Sequence, residues 1–158
     1  MCFIFYMNMA FPQASKQEIG TIGLKKNAIY ATLGVYVGEF YVTFLGNYER
    51  LILQFPRSFV QSMWIRVGAG PWAWWSSNGW NYTSTLSVLT GRKNTHLELG
   101  SGVLFSYNSY NKKFEPLAGN SHLAGNLGFR FQKPGGSFIF RTGIGWPEFM
   151  YLSFGICF

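Results

Sequence analysis

Apolar side chains recur at every second position over most of this chain. Successive residues of a β-strand point to opposite faces of the sheet, so a period of two marks strands with one apolar face. Read backwards from the C-terminus, Phe158, Ile156, Phe154, Leu152 and Met150 share one face, and Cys157, Gly155, Ser153 and Tyr151 share the other. The first face is large and apolar, the second mostly small. The pattern repeats in Ser137–Trp146, Leu123–Gln132, His96–Phe105 and Ser62–Gly70, and less regularly in Tyr82–Thr90, Phe40–Tyr48 and Ile29–Val35. These make eight candidate strands, with no helical periodicity competing.

Charged residues are only 12% of the 158, aromatics are 20%, and glycine occurs 19 times. Ordinary soluble proteins carry roughly 25% charged residues, so the apolar faces are expected to meet something other than water. Helices do not supply the explanation. The uncharged stretch Val67–Gly91 is full of Gly, Ser, Asn and Thr and contains Pro71, unlike a spanning helix of about 20 apolar residues. The compact apolar run Cys2–Phe11 is too short to span. With Ala14 as an end point it places a signal peptide at residues 1–14, one lacking the basic residue that should precede its core. Residues 15–26 then form a leader and 27–158 the folded domain.

The net charge of +7 comes from pairs and singles such as Lys25–Lys26, Arg92–Lys93 and Lys112–Lys113, at expected turns and loops. No basic stripe forms, which argues against nucleic acid as a partner. The two cysteines, Cys2 and Cys157, build neither a disulfide framework nor a metal-binding spacing. No cofactor is expected, and the glycines open no helix as a phosphate loop would.

Alternation also suits a soluble sandwich. Three features favour a closed antiparallel up-and-down barrel of about eight strands that spans a membrane. The polar face is built from Gly, Ser, Thr and Asn, as the crowded inside of a narrow barrel requires. Tyr48, Trp72, Trp74, Trp75, Trp80, Tyr82, Tyr107 and Trp146 cluster at strand ends, as girdles at both membrane interfaces do. The chain finishes on a strand ending in Phe158. Strands of about ten residues, tilted about 40°, rise roughly 25 Å, the height of an outer-membrane apolar band. Compact turns at Leu53–Ser58, Thr90–Asn94 and Lys133–Gly136 define one rim. Longer loops at Trp72–Trp80 and Ser106–His122 belong to the other, while its connections near Gly38 and Pro147 are short.

The runs TGRKNTHLELGSGVL (Thr90–Leu104) and GFRFQKPGGSFIFRTGIGWPEFMYLSFGICF (Gly128–Phe158) resemble small outer-membrane β-barrel proteins of Gram-negative bacteria, a resemblance extending over Asn27–Phe158. It implies a fold and an address in the cell outer membrane, but no single activity. It also implies that Phe158, with Ile156 and Phe154, resembles the signal read by the barrel assembly machinery. Membrane lipids, lipopolysaccharide and that machinery are the implied partners of a monomeric barrel.

Parity places Glu49, Arg66, His96, Glu98, Arg130 and Arg141 on the lumen face. Buried charges must pair, so these read first as a network filling the lumen and second as the selectivity lining of a narrow pore. A lipid-modifying enzyme is the less favoured alternative. His96 and Glu98 share a face but Ser101 takes the opposite one, whereas a hydrolytic triad needs all three within hydrogen-bond reach. His122 lies alone in a loop. Trp72, Trp74, Trp75 and Trp80 are read as interfacial or surface-loop aromatics, and Lys112 and Lys113 as residues facing lipopolysaccharide phosphates. A structural or surface-interaction barrel, not an enzyme, is the leading expectation.

Overall fold

The computed structural model describes residues 23–37, 40–55, 58–91, 94–115 and 122–158. The expected signal and most of the leader lie outside the described residues. The strands are β1 (Asn27–Tyr36), β2 (Tyr41–Gln54), β3 (Val60–Trp74), β4 (Ser77–Thr90), β5 (Thr95–Asn108), β6 (Lys113–Glu115), β7 (Leu123–Gln132), β8 (Phe138–Trp146) and β9 (Phe149–Cys157). β6 is a short flap paired with the end of β5. The other eight form one antiparallel ring, β1-β2-β3-β4-β5-β7-β8-β9, closed by pairing of β1 with β9. The fold is therefore an eight-stranded closed β-barrel. No described helix is long and apolar enough to cross a membrane, which says nothing of strands.

The register fixes the barrel's dimensions. From Glu98, paired residues lead through Gly128, Gly143, Tyr151, Gly34, Thr43, Trp72 and Gly79 and return to β5 at Asn108, ten residues further on. Eight strands with a stagger of ten residues require a tilt of about 40° and a backbone radius of about 8 Å. Such a lumen holds side chains and little else.

The two faces follow the alternation. Ile29, Phe44, Val67, Leu86, Leu99, Phe129, Ile144 and Phe154, drawn from all eight barrel strands, are exposed on the outer wall. Thr32, Asn47, Arg66, Thr85, Glu98, Arg130, Arg141 and Ser153 are buried inside. The lumen also holds bulk that the small-residue pattern does not announce: Tyr30, Tyr41, Leu45, Trp64, Leu89, Leu104, Ile139 and Tyr151. Glycine on the facing strand makes room for it. Tyr30 is paired with Gly155, where an added Cβ would lie 2.5 Å from the Tyr30 Cα and closer still to its Cβ.

One rim, here the turn rim, carries the β2–β3, β4–β5 and β7–β8 connections, residues 23–26 and Phe158. Gly91 and Gly135 adopt φ of 99° and 71° in its turns, a region open to glycine at little cost. Residues 23–26 cross this mouth. Gly23 accepts a hydrogen bond from the Gly135 amide and Lys26 from the Leu51 amide, each at 2.8 Å. Leu24 drops between Trp64 and Leu89 and stops the opening.

The opposite, loop rim departs from expectation. Trp72–Trp80 is not a long loop: β3 runs to Trp74 and β4 starts at Ser77, leaving a two-residue turn. Alternation simply continues, with Pro71 and Ala73 outward and Trp72 inward. Trp72 faces Gly79, where an added Cβ would lie 2.9 Å from its indole nitrogen. Ser106–His122 is shortened at its start, where β5 reaches Asn108 and β6 folds back on it. β2 to β5 thus have 14 or 15 residues each, whereas β1, β7, β8 and β9 have nine or ten.

Gly155→Val should push Tyr30 off the inner wall and cost about 1–3 kcal/mol. Gly46→Ala, whose new methyl would lie 3.7 Å from the Ala69 carbonyl oxygen, should be near neutral. Urea unfolding in detergent, followed by tryptophan fluorescence, checks both; equal effects would mean that inner-wall crowding is not limiting.

Candidate functional site

All six charged or titratable residues that parity turns inward are buried inside the barrel: Glu49, Arg66, His96, Glu98, Arg130 and Arg141. They are held at alternate positions on β2, β3, β5, β7 and β8. Two clusters result.

The first lies toward the turn rim. Arg130 Nη1 donates to Glu49 Oε2 at 2.5 Å, and Arg130 Nε to Gln132 Oε1 at 2.9 Å. β2 and β7 stand four strands apart in a ring of eight, so this pair spans the full lumen. The Arg130 guanidinium lies 4.2 Å over the Trp64 ring, a cation–π contact with the best aromatic for it. Trp64 Nε1 in turn donates to Ser62 Oγ at 2.9 Å. His96 is paired across the strands with Arg130, beside a guanidinium rather than a carboxylate.

The second cluster centres on Glu98. Arg141 meets it as a fork, with Nε donating to Oε2 at 2.8 Å and Nη2 to Oε1. Asn126 Nδ2 donates to Oε1 at 2.8 Å, and Arg66 Nη1 stands 3.9 Å from the same oxygen. Arg66 also donates through Nε to Thr85 Oγ1 and through Nη2 to Asn126 Oδ1, both at 2.8 Å. Tyr30 and Tyr151 flank the Arg141 guanidinium, with ring centroids 4.7 and 5.5 Å away. Glu98 thus has hydrogen-bonding or ionic partners on β3, β7 and β8. Bidentate, charge-assisted geometry of this kind is what a buried carboxylate needs to offset its desolvation.

Above these clusters the lumen is polar but uncharged. Asn47 Nδ2 donates to Thr32 Oγ1 at 3.0 Å, and Thr32 shares a hydrogen bond with Ser153 at 2.8 Å. Near the loop rim Asn81 Nδ2 donates to Tyr41 Oη at 2.9 Å and accepts from Ser106 Oγ at 2.6 Å. A third buried acid, Glu148, sits in the β8–β9 turn at 4% exposure. Periodicity offers no sign of it, because it lies outside any strand. With Glu148, three arginines face three glutamates, so the formal charges inside cancel. The chain's +7 is carried entirely by residues other than these six.

Of the aromatics read as interfacial, Trp75 and Trp80 are exposed and Trp74 is half-buried. Trp72 is not interfacial: it is 5% exposed and points into the lumen. The outward Trp and Tyr residues gather at the loop rim, with Tyr48 the exception, rather than at both rims. Phe154, Ile156 and Phe158 are exposed on the outer wall. Ser101 is also outward and does not meet His96 or Glu98. His122 packs on Phe105 at the loop rim. Among the described residues, no three His, Cys, Asp or Glu side chains gather as a metal site would need.

Comparison with family models, with curated proteins and with solved structures returns no match.

Removing one partner strands the other charge in the lumen, so Glu98→Ala and Arg130→Ala should each cost about 3–5 kcal/mol in detergent. Phe129→Ala, on the outer wall, should cost less. Glu49→Ala combined with Arg130→Ala should cost less than the sum of the two alone. The opposite ranking in denaturant titrations would mean that the barrel's packed side is the apolar one.

Proposed function

We propose that this chain is an integral outer-membrane β-barrel, not an enzyme, with a structural or surface-interaction role and a lumen filled by its own side chains. The observation that carries the reading is the outer wall. Among the described residues of the eight barrel strands, Arg50 is the one charged side chain that points outward, near the turn rim. Every other charged strand residue is inside, and large apolar side chains cover the wall around the whole ring. A closed ring has no open edge for lipid to leave unsatisfied. Exposed apolar surface of this extent is a liability in water and a requirement in hydrocarbon.

The filled lumen favours this role over a narrow pore. The Glu49–Arg130 bridge crosses it, Leu24 with Trp64 and Leu89 stops the turn-rim mouth, and Trp72 and Tyr41 pack within the other end. Exposed Trp75 and Tyr110 on the loop rim are the surface offered to an external partner, since aromatic side chains are favoured at binding hot spots. The outward Phe154, Ile156 and Phe158 are the residues we assign to recognition by the barrel assembly machinery.

Expressed behind a working signal peptide, the protein should resist carbonate extraction from outer-membrane fractions and migrate faster on gels when unboiled. Recovery as a soluble periplasmic monomer would overturn the reading. In planar bilayers it should show no stable single-channel steps; reproducible conductance would favour the pore instead.

A further inference from the structure

The charge outside the lumen is unevenly placed. On the turn rim Lys26, Arg50 and Lys133 are exposed and Lys25 is half-buried, donating through Nζ to Ser137 Oγ at 2.6 Å. No acidic side chain accompanies them on that rim among the described residues, because Glu49 and Glu98 both turn inward. The loop rim differs: Lys112 and Lys113 stand three and two positions before Glu115, which ends the β6 flap. The basic side chains of the turn rim are also flanked by Phe131, Phe138 and Phe158 on the outer wall, and Phe55 and Phe59 are exposed in the β2–β3 turn beyond them. Residues 23–26 are fixed there by backbone hydrogen bonds to Leu51 and Gly135, so Lys25 and Lys26 are presented from ordered backbone.

We propose that the turn rim is a binding surface for anionic phospholipid headgroups, with Lys26, Arg50 and Lys133 meeting the phosphates and Phe131, Phe138 and Phe158 seated among the upper acyl carbons. This rests on the membrane reading above and adds a polarity to it: the lipid-selective rim is the one that carries the β2–β3, β4–β5 and β7–β8 connections, not the one that carries the β6 flap. Lysine and arginine at a bilayer surface attract anionic lipid by about fivefold in partition per residue, an effect that salt screens. Long basic side chains keep their heads in the interface while their stems cover apolar surface, which suits this Phe-flanked setting.

Native mass spectrometry of the full chain in neutral detergent, with equal amounts of phosphatidylglycerol and phosphatidylcholine of matched acyl chains, tests it. The wild type should retain phosphatidylglycerol over phosphatidylcholine by about tenfold or more. Lys26→Gln, Arg50→Gln and Lys133→Gln together should bring the two lipids near parity, while Lys112→Gln with Lys113→Gln should leave the preference intact. Should the triple variant not fold, the salt series decides: solubilised wild type exposed to the lipids at rising ionic strength should lose the preference. Equal retention of both lipids by the wild type, a preference indifferent to salt, or one abolished by the loop-rim pair would each overturn the proposal. A chain that stays soluble without detergent and retains neither lipid would instead overturn the membrane reading on which it rests.

Discussion

The pairing of β1 with β9 is the interaction on which the rest of the structure depends. It removes the last free edge and, with the ten-residue stagger, sets a lumen about 8 Å in backbone radius. Every feature inside answers to that radius. Tyr30 needs glycine on the facing strand because there is no spare depth. Arg130 reaches Glu49 on the far side of the ring because the far side is close. Arg66, Arg141 and Asn126 converge on a single carboxylate because nothing wider separates them. An open sheet of the same strands would leave these groups in water and give them little reason to pair.

Much of this was legible in the sequence, and the reason is the strictness of period two. Arg66, Glu98, Arg130 and Arg141 are inward because a one-residue slip would exchange both faces of each strand at once. Even Glu49, near the end of its segment, follows parity, since β2 continues beyond Tyr48 to Gln54. Partner choice was not legible. That Glu98 takes Arg141 as a fork while Arg130 goes to Glu49 depends on stagger, which is a property of closure and leaves no trace in any one strand. Glu148 was hidden for the opposite reason: it lies in a turn, where alternation stops.

Segment Trp72–Trp80 folds against its own turn chemistry. Pro71, a cluster of tryptophans and the Ser-Ser-Asn-Gly run resemble loop chemistry, yet the segment is a continuous hairpin. Pro71 points outward on β3, and Gly79 serves as the space opposite Trp72 rather than as a turn. Local turn propensity lost to cross-strand packing. The shift matters to function, because it moves one tryptophan from the outside, where it would contact membrane or ligand, to the inside, where it fills the end of the lumen.

The unequal strand lengths mean that the wall is not one height. At the common tilt, β2 to β5 rise about 35 Å and β8 and β9 about 23 Å. A bilayer of uniform thickness cannot match both. In the membrane setting proposed above, lipid beside the short strands would thin, or the barrel would lean toward them, each at a fraction of a kcal/mol per Å of mismatch. The short side is also where β1 meets β9. On that proposal, the bilayer is most deformed alongside the seam that closes the ring.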